Sequence, residues 1–128
     1  MPAPEAFQYA VLRLVPRIER GERLNVGVVL FCRRRRFLAA RVALDAARLA
    51  ALAPECDPAA LAPILENLVA VAAGGAGGGP LARLDASERF GWLTAPSSTT
   101  IQPSPVHTGL TEDPAADLDR LFARLVET

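Results

Sequence analysis

The sequence contains no lysine: its 14 basic residues are all arginine and stand against 14 Asp and Glu, so the formal net charge is zero. With abundant Ala, Gly and Pro, this reads as the coding bias of a GC-rich genome and carries no functional weight. A neutral chain also lacks the uncompensated basic face of a strong nucleic-acid binder, and the aromatics that would stack on bases are only 5% of residues. Cysteine is equally scarce. Cys32 and Cys56 do not form the even, spaced set of a secreted scaffold, which predicts a reducing, cytoplasmic setting. The single histidine, His107, has no ligand spacing to either cysteine, so no metal is expected, and no cofactor. Long apolar runs are missing too. The first, "YAVLRLVPR", is broken by Arg13 and has no small-residue cleavage site, so neither a membrane span nor a signal peptide is expected.

What is present fits one domain. A chain of 128 residues can bury enough surface to fold unaided, and 65 hydrophobic residues less 24 alanines leaves 41 larger ones for a core of Leu and Val. The charges are split: residues 1–50 hold ten Arg against four acids, and residues 51–128 hold four Arg against ten. That asymmetry predicts self-complementarity within the fold or toward a partner.

"FQYAVLRLV" (7–15) alternates with both faces apolar, as a central strand would, placing Phe7, Tyr9 and Val11 opposite Ala10, Leu12 and Leu14. "LNVGVVLFC" (24–32) and "FLAARVAL" (37–44) read as two more strands, with "RRRR" (33–36) in their hairpin connection; Gly27 signals a bulge or a close backbone approach. Asp45 caps a helix over 46–53. Asp57 and Pro58 open another that reaches residue 73 through Leu61, Leu65, Leu68 and Ala72, with Pro63 expected to kink it or to mark its true start. "GGAGGG" (74–79) with Pro80 is expected to be a flexible connector; no Gly-Lys-Ser/Thr follows to make it a phosphate loop. Asp113 and Pro114 start a last helix with the stripe Leu118, Leu121, Phe122 and Leu125, to pack on the sheet or on a partner. The expectation is a single α+β domain over 1–128, with an antiparallel sheet of three to four strands packed against helices, the fourth lying around 99–106.

The hydroxyls are concentrated. Of ten Ser and Thr, eight lie between Thr94 and Thr111. Prolines at 96, 103 and 105 exclude a helix there, while Trp92, Leu93, Ile101, Val106 and Leu110 are spaced as anchors, so the segment from about 89 to 109 reads as an ordered loop. Arg89 has the planar fork that suits a carboxylate or phosphate, Ser97, Ser98, Thr99 and Thr108 offer small hydrogen-bonding groups, and His107 can exchange a proton near neutral pH. These residues, supported by Glu22 and Asn25, are the candidate site for an anionic ligand. Equally, hydroxyls in a packed loop serve its own backbone.

Enzyme motifs are missing. No serine is framed as Gly-x-Ser-x-Gly, a Ser98–His107 pair depends wholly on proximity, and Glu112 and Asp113 are explained as acids at a helix start. Arg33 to Arg36 match a phosphate-gripping run, but a solvated turn that keeps a sheet edge from pairing explains them as well.

Two blocks, "YAVLRLVPRIERGERLNVGVVLF" and "RFGWLTAPSSTTIQPSPVHTGL", followed by the helix ending "LDRLFARLV", resemble the bacterial domain-of-unknown-function family 3037 across essentially the whole chain. The matching residues are Asn25, Val26, Gly27, Arg89, Ser98, Thr99, His107 and Gly109. Members are often encoded beside a HipA-like kinase, so the resemblance implies an accessory or interaction subunit with such a kinase as its protein partner and no catalysis of its own. The alternative is a small anionic-ligand-binding protein or enzyme built on the 89–109 loop; nucleic-acid binding through Arg33–Arg36 is the outsider. An unpaired edge strand would also permit a homo-oligomer.

Overall fold

The computed structural model describes residues 3–97 and 99–127. Its centre is the strand β1, Glu5–Leu14, which is paired along both edges and has an apolar core on each of its two faces. On one side it pairs antiparallel with β2, Leu24–Cys32, which in turn pairs with β3, Phe37–Val42. The four arginines form the β2–β3 turn, where the Arg36 N–H donates to Arg33 O at 3.1 Å and Arg36 takes φ 51°.

On its other side β1 changes partners. Leu12–Leu14 pair with β4, Ile101–Pro103, and Glu5–Tyr9 pair with β5, His107–Thr111. Among the described residues the sheet therefore has five strands, one more than the sequence reading allowed. Of the strand expected around 99–106 the structure forms β4, and β5 follows beyond it as a separate strand, because Ser104, Pro105 and Val106 stand opposite only Ala10 and Val11 and shift the register by one residue.

A second bulge lies where Gly27 predicted one. Leu12 pairs with Gly27 but Arg13 pairs with Asn25, so Val26 is the extra residue. A Cβ on Gly27 would stand 2.8 Å from the Arg41 carbonyl oxygen and 2.9 Å from Val42 Cγ1, so the close approach is real as well. The bulge reverses the facing of everything before it. Val28, Leu30 and Cys32 join one core and Val26 the other, although all four positions are even.

Among the described residues four helices cover the two faces. Ala10, Leu12, Leu14, Val29 and Phe31 pack with helices α1 (Ala46–Leu52), α2 (Pro58–Ala73) and α3 (Ala86–Leu93). Phe7, Val28 and Leu30 pack with Leu118, Leu121, Phe122 and Val126 at α4, Pro114–Leu125, which lies on the sheet. Asp45, Asp57 and Asp113 cap α1, α2 and α4 as expected, each accepting from backbone N–H groups of the first turn. Pro63 does not start α2, which runs unbroken from Pro58.

The helix α3 corrects the reading of 89–93 as loop. Asp85 accepts from the Glu88 N–H at 2.8 Å, a capping pair three residues apart that nucleates two turns before Pro96 intervenes. Between α2 and α3 the glycine-rich segment forms two short 3-10 turns, Ala76–Gly78 and Pro80–Arg83. Gly78 lies against α2, where a Cβ would come within 3.0 Å of the Ala70 carbonyl.

Candidate functional site

The α3 helix and the hydroxyl-rich segment meet α2 to form a cleft. Thr94 ends α3 by donating its hydroxyl to Phe90 O at 2.8 Å. Beyond it the chain turns on its own side chains. Ser97 Oγ and Thr99 Oγ1 share a hydrogen bond of 2.7 Å, the Thr99 N–H donates to Ser97 Oγ, and Thr99 Oγ1 donates to Ile101 O. Gln102 Nε2 adds a bond to Thr99 O at 2.9 Å. These bonds hold the loop so that Pro96, Ser97 and Thr99 face Ile64, Asn67 and Leu68 of α2 across a cleft of about 470 Å³. Leu12 and Ile101 lie at its base, and the half-exposed Trp92 stands at its mouth. Among the described residues no charged side chain lines it. Its polar groups are the Asn67 amide and the Ser97 and Thr99 hydroxyls, so the cleft suits an apolar group with one hydrogen-bonding edge.

The other predicted site residues lie elsewhere. Arg89, on α3 rather than in a loop, donates Nη1 to Ala72 O at 2.7 Å and to Val71 O at 3.2 Å, and Nε to Leu84 O at 3.0 Å. Its guanidinium thus closes the C-terminal end of α2, a favourable place for a cation. Gly74 is what lets it approach: a Cβ there would sit 2.9 Å from Arg89 Nη1. Asn25, swung toward α4 by the bulge, donates Nδ2 to Leu125 O at 2.9 Å; Arg48 Nη1 donates to Val126 O at the same distance. Both line a separate cleft of about 280 Å³ at the end of α4.

Glu22 accepts from Arg20 Nε at 2.5 Å, and that hydrogen bond, with the charges of Arg20 and Arg17, holds its carboxyl below the ordinary value. His107 is an exposed residue of β5, paired across the ladder with Tyr9, the two ring centroids 5.3 Å apart. Thr108 lines a third cleft, of about 380 Å³, with Arg33, Arg34 and Glu5. Ser98 lies outside the described residues. The structure thus joins Ser97 and Thr99 in one cleft and places Asn25 and Thr108 in two others.

The cleft residues that the sequence reading passed over are Ile64, Asn67 and Trp92. Trp92 was expected as a core anchor and is 42% exposed; Ile64, outside the Leu61–Leu65–Leu68 stripe, is 45% exposed. An isoleucine off the buried stripe of an amphipathic helix was the available signal. Val106 and Leu110, also expected as anchors, are exposed on the sheet edge instead. Among the described residues no three His, Cys, Asp or Glu side chains gather as a metal site would require, and no helix is long and apolar enough to cross a membrane. A family model described as protein of unknown function, DUF3037, matches residues 9–126. No curated protein and no solved structure matches the chain.

Proposed function

The chain belongs to the DUF3037 family, and from that membership and the geometry of the cleft we propose that it is a cytoplasmic interaction subunit, with Trp92 and the cleft beside it receiving an apolar side chain of a partner protein. The observation that carries this reading is a tryptophan 42% exposed at the mouth of a charge-free cleft. Tryptophan is among the residues enriched at the energetic anchors of protein interfaces, where surrounding contacts exclude water. Ile64 extends that surface on α2. A HipA-like kinase is the partner the family resemblance implies, with the chain as its accessory subunit.

Trp92 is the sole tryptophan, so its emission reports on the cleft directly. Titration with the purified kinase is expected to shift that emission to the blue as water leaves the ring. Calorimetry of Trp92→Ala is expected to show binding weakened about 30-fold, the equivalent of a loss of roughly 2 kcal/mol at an anchor residue. Unchanged emission would remove the kinase as partner, and unchanged affinity in the variant would remove the cleft as the contact.

A second reading is a small-molecule site. A volume of about 470 Å³ falls within the range of roughly 300–1,000 Å³ typical of ligand clefts, and the Asn67 amide on its wall can orient a ligand, the Ser97 and Thr99 hydroxyl protons being already given to the loop itself. An anion would find no cation among the cleft's lining residues. The ligand class is therefore a neutral, largely apolar molecule.

A further inference from the structure

The outer edge of the sheet at β5 has no charge to protect it against pairing. From Phe90 to Thr111 there is no Arg, Asp or Glu, in a chain that is 22% charged, so β4 and β5 carry no charge that would repel another strand. The opposite edge differs: β3 carries Arg41 and begins at the four-arginine turn. Two identical edges of the β3 kind would repel each other. Two of the β5 kind would not.

The backbone geometry then selects one register. The Val11 and Val15 amides bond toward the β4–β5 side, so by alternation Glu5, Phe7 and Tyr9 also turn their backbone groups to that side. Their partners Thr111, Gly109 and His107 therefore face inward, and Thr108 and Leu110 present their N–H and C=O groups outward. Among the described residues those outward groups have no hydrogen-bond partner. The free run is bounded by Pro105, which has no N–H, and by Glu112, whose carbonyl accepts from Arg35 Nη1 at 3.0 Å. Its midpoint is Gly109.

We infer that β5 pairs antiparallel with β5 of a second copy of this chain, about a two-fold axis through Gly109, to make one continuous sheet across a homodimer. In this register Thr108 of one copy exchanges both backbone hydrogen bonds with Leu110 of the other. Gly109 meets its own mate at a non-hydrogen-bonded position, where strands approach most closely and a glycine leaves the most room. Its inner side is already taken by the Phe7 ring, 2.6 Å from where a Cβ would stand. Leu110, 72% exposed in the single chain, gains Thr108 of the second copy as cross-strand neighbour. So short a strand pair covers less than a standard interface, so association is expected to depend on concentration within the range that sedimentation can follow. The surface is separate from the Trp92 cleft and does not rest on the function proposed for it.

The test is sedimentation equilibrium of the full chain over a range of concentrations, with amide exchange followed residue by residue. A rise to dimer mass, with the Thr108 and Leu110 amides becoming protected as the dimer forms, is the expected result. Thr108→Pro removes an N–H that only a second chain uses, and Leu110→Arg puts a charge on the edge. Both variants should remain monomeric, with the melting temperature of the wild-type chain at dilutions where that chain is itself monomeric. A wild-type chain that stays monomeric at every concentration overturns the inference. So does a dimer in which those two amides still exchange freely, or one that persists in both variants.

Discussion

Where β1 passes from β5 to β4, the Val11 N–H faces a gap in the ladder, and Ser104 Oγ accepts it at 2.8 Å. The Ser104 N–H returns the bond to Val11 O at 2.8 Å, and its hydroxyl donates to Pro105 O. One side chain thus stands in for a missing backbone acceptor in a buried place. Ser104→Ala leaves the Val11 donor buried without a partner and is expected to lower stability by about 1–3 kcal/mol, seen as a lower urea midpoint with an unchanged slope. Nothing in the sequence set Ser104 apart from seven neighbouring hydroxyls. Its role is defined by a residue 93 positions away.

Among the elements, α2 contains its own defect. Pro63 has no N–H to give Ala59 O, yet the helix runs through it. Tertiary packing of Leu61 and Leu65 holds the turn in place. Because Pro63 is exposed, Pro63→Ala removes no core contact. It is expected to raise stability by about 2 kcal/mol, the roughly 3 kcal/mol helix penalty less about 1 kcal/mol for a freer unfolded chain, measured as a higher melting temperature. Capped helices were legible because a cap and its first turn are neighbours in sequence. The Asp85–Glu88 cap of α3 was equally local, but the prolines that follow directed the reading toward a loop. For β5 no local signal existed, since His-Thr-Gly-Leu-Thr is a strand only through its ladder with β1.

At the scale of the whole molecule, the division into basic and acidic halves has a modest structural use. Arg17 reaches Glu55 at 2.5 Å and Arg41 reaches Asp119 at 2.7 Å, both joining the halves. Arg41 also lies over the Phe122 ring, 4.4 Å from its centroid, so the second link has an apolar component. Other pairs, such as Arg20–Glu22 and Arg120–Asp117, stay within one half. All are at the surface, where ion pairs contribute little and salt screens them. Unfolding free energies in low and high sodium chloride are therefore expected to differ by less than about 1 kcal/mol once the salt's effect on apolar burial is allowed for. A larger loss in salt would mean that the charge split holds the fold together.

Patterns short in sequence carried most of the framework: the two-faced strand at β1, the arginine turn between β2 and β3, the Asp caps, and the Gly27 bulge all follow from neighbours acting on neighbours. The hydroxyl-rich segment was read as a loop, whereas its last residues form β5, and its chemistry was decided by distant partners. Carbonyls at the end of α2 take up Arg89, and the C-terminal end of α4 takes up Asn25. What remains beside Trp92 is an apolar cleft, made by residues of α2, α3 and β4 that no spacing in the chain connects. Burial and hydrogen-bond satisfaction are properties of the folded whole. Side chains that a motif would group are therefore separated once each must satisfy the backbone nearest to it.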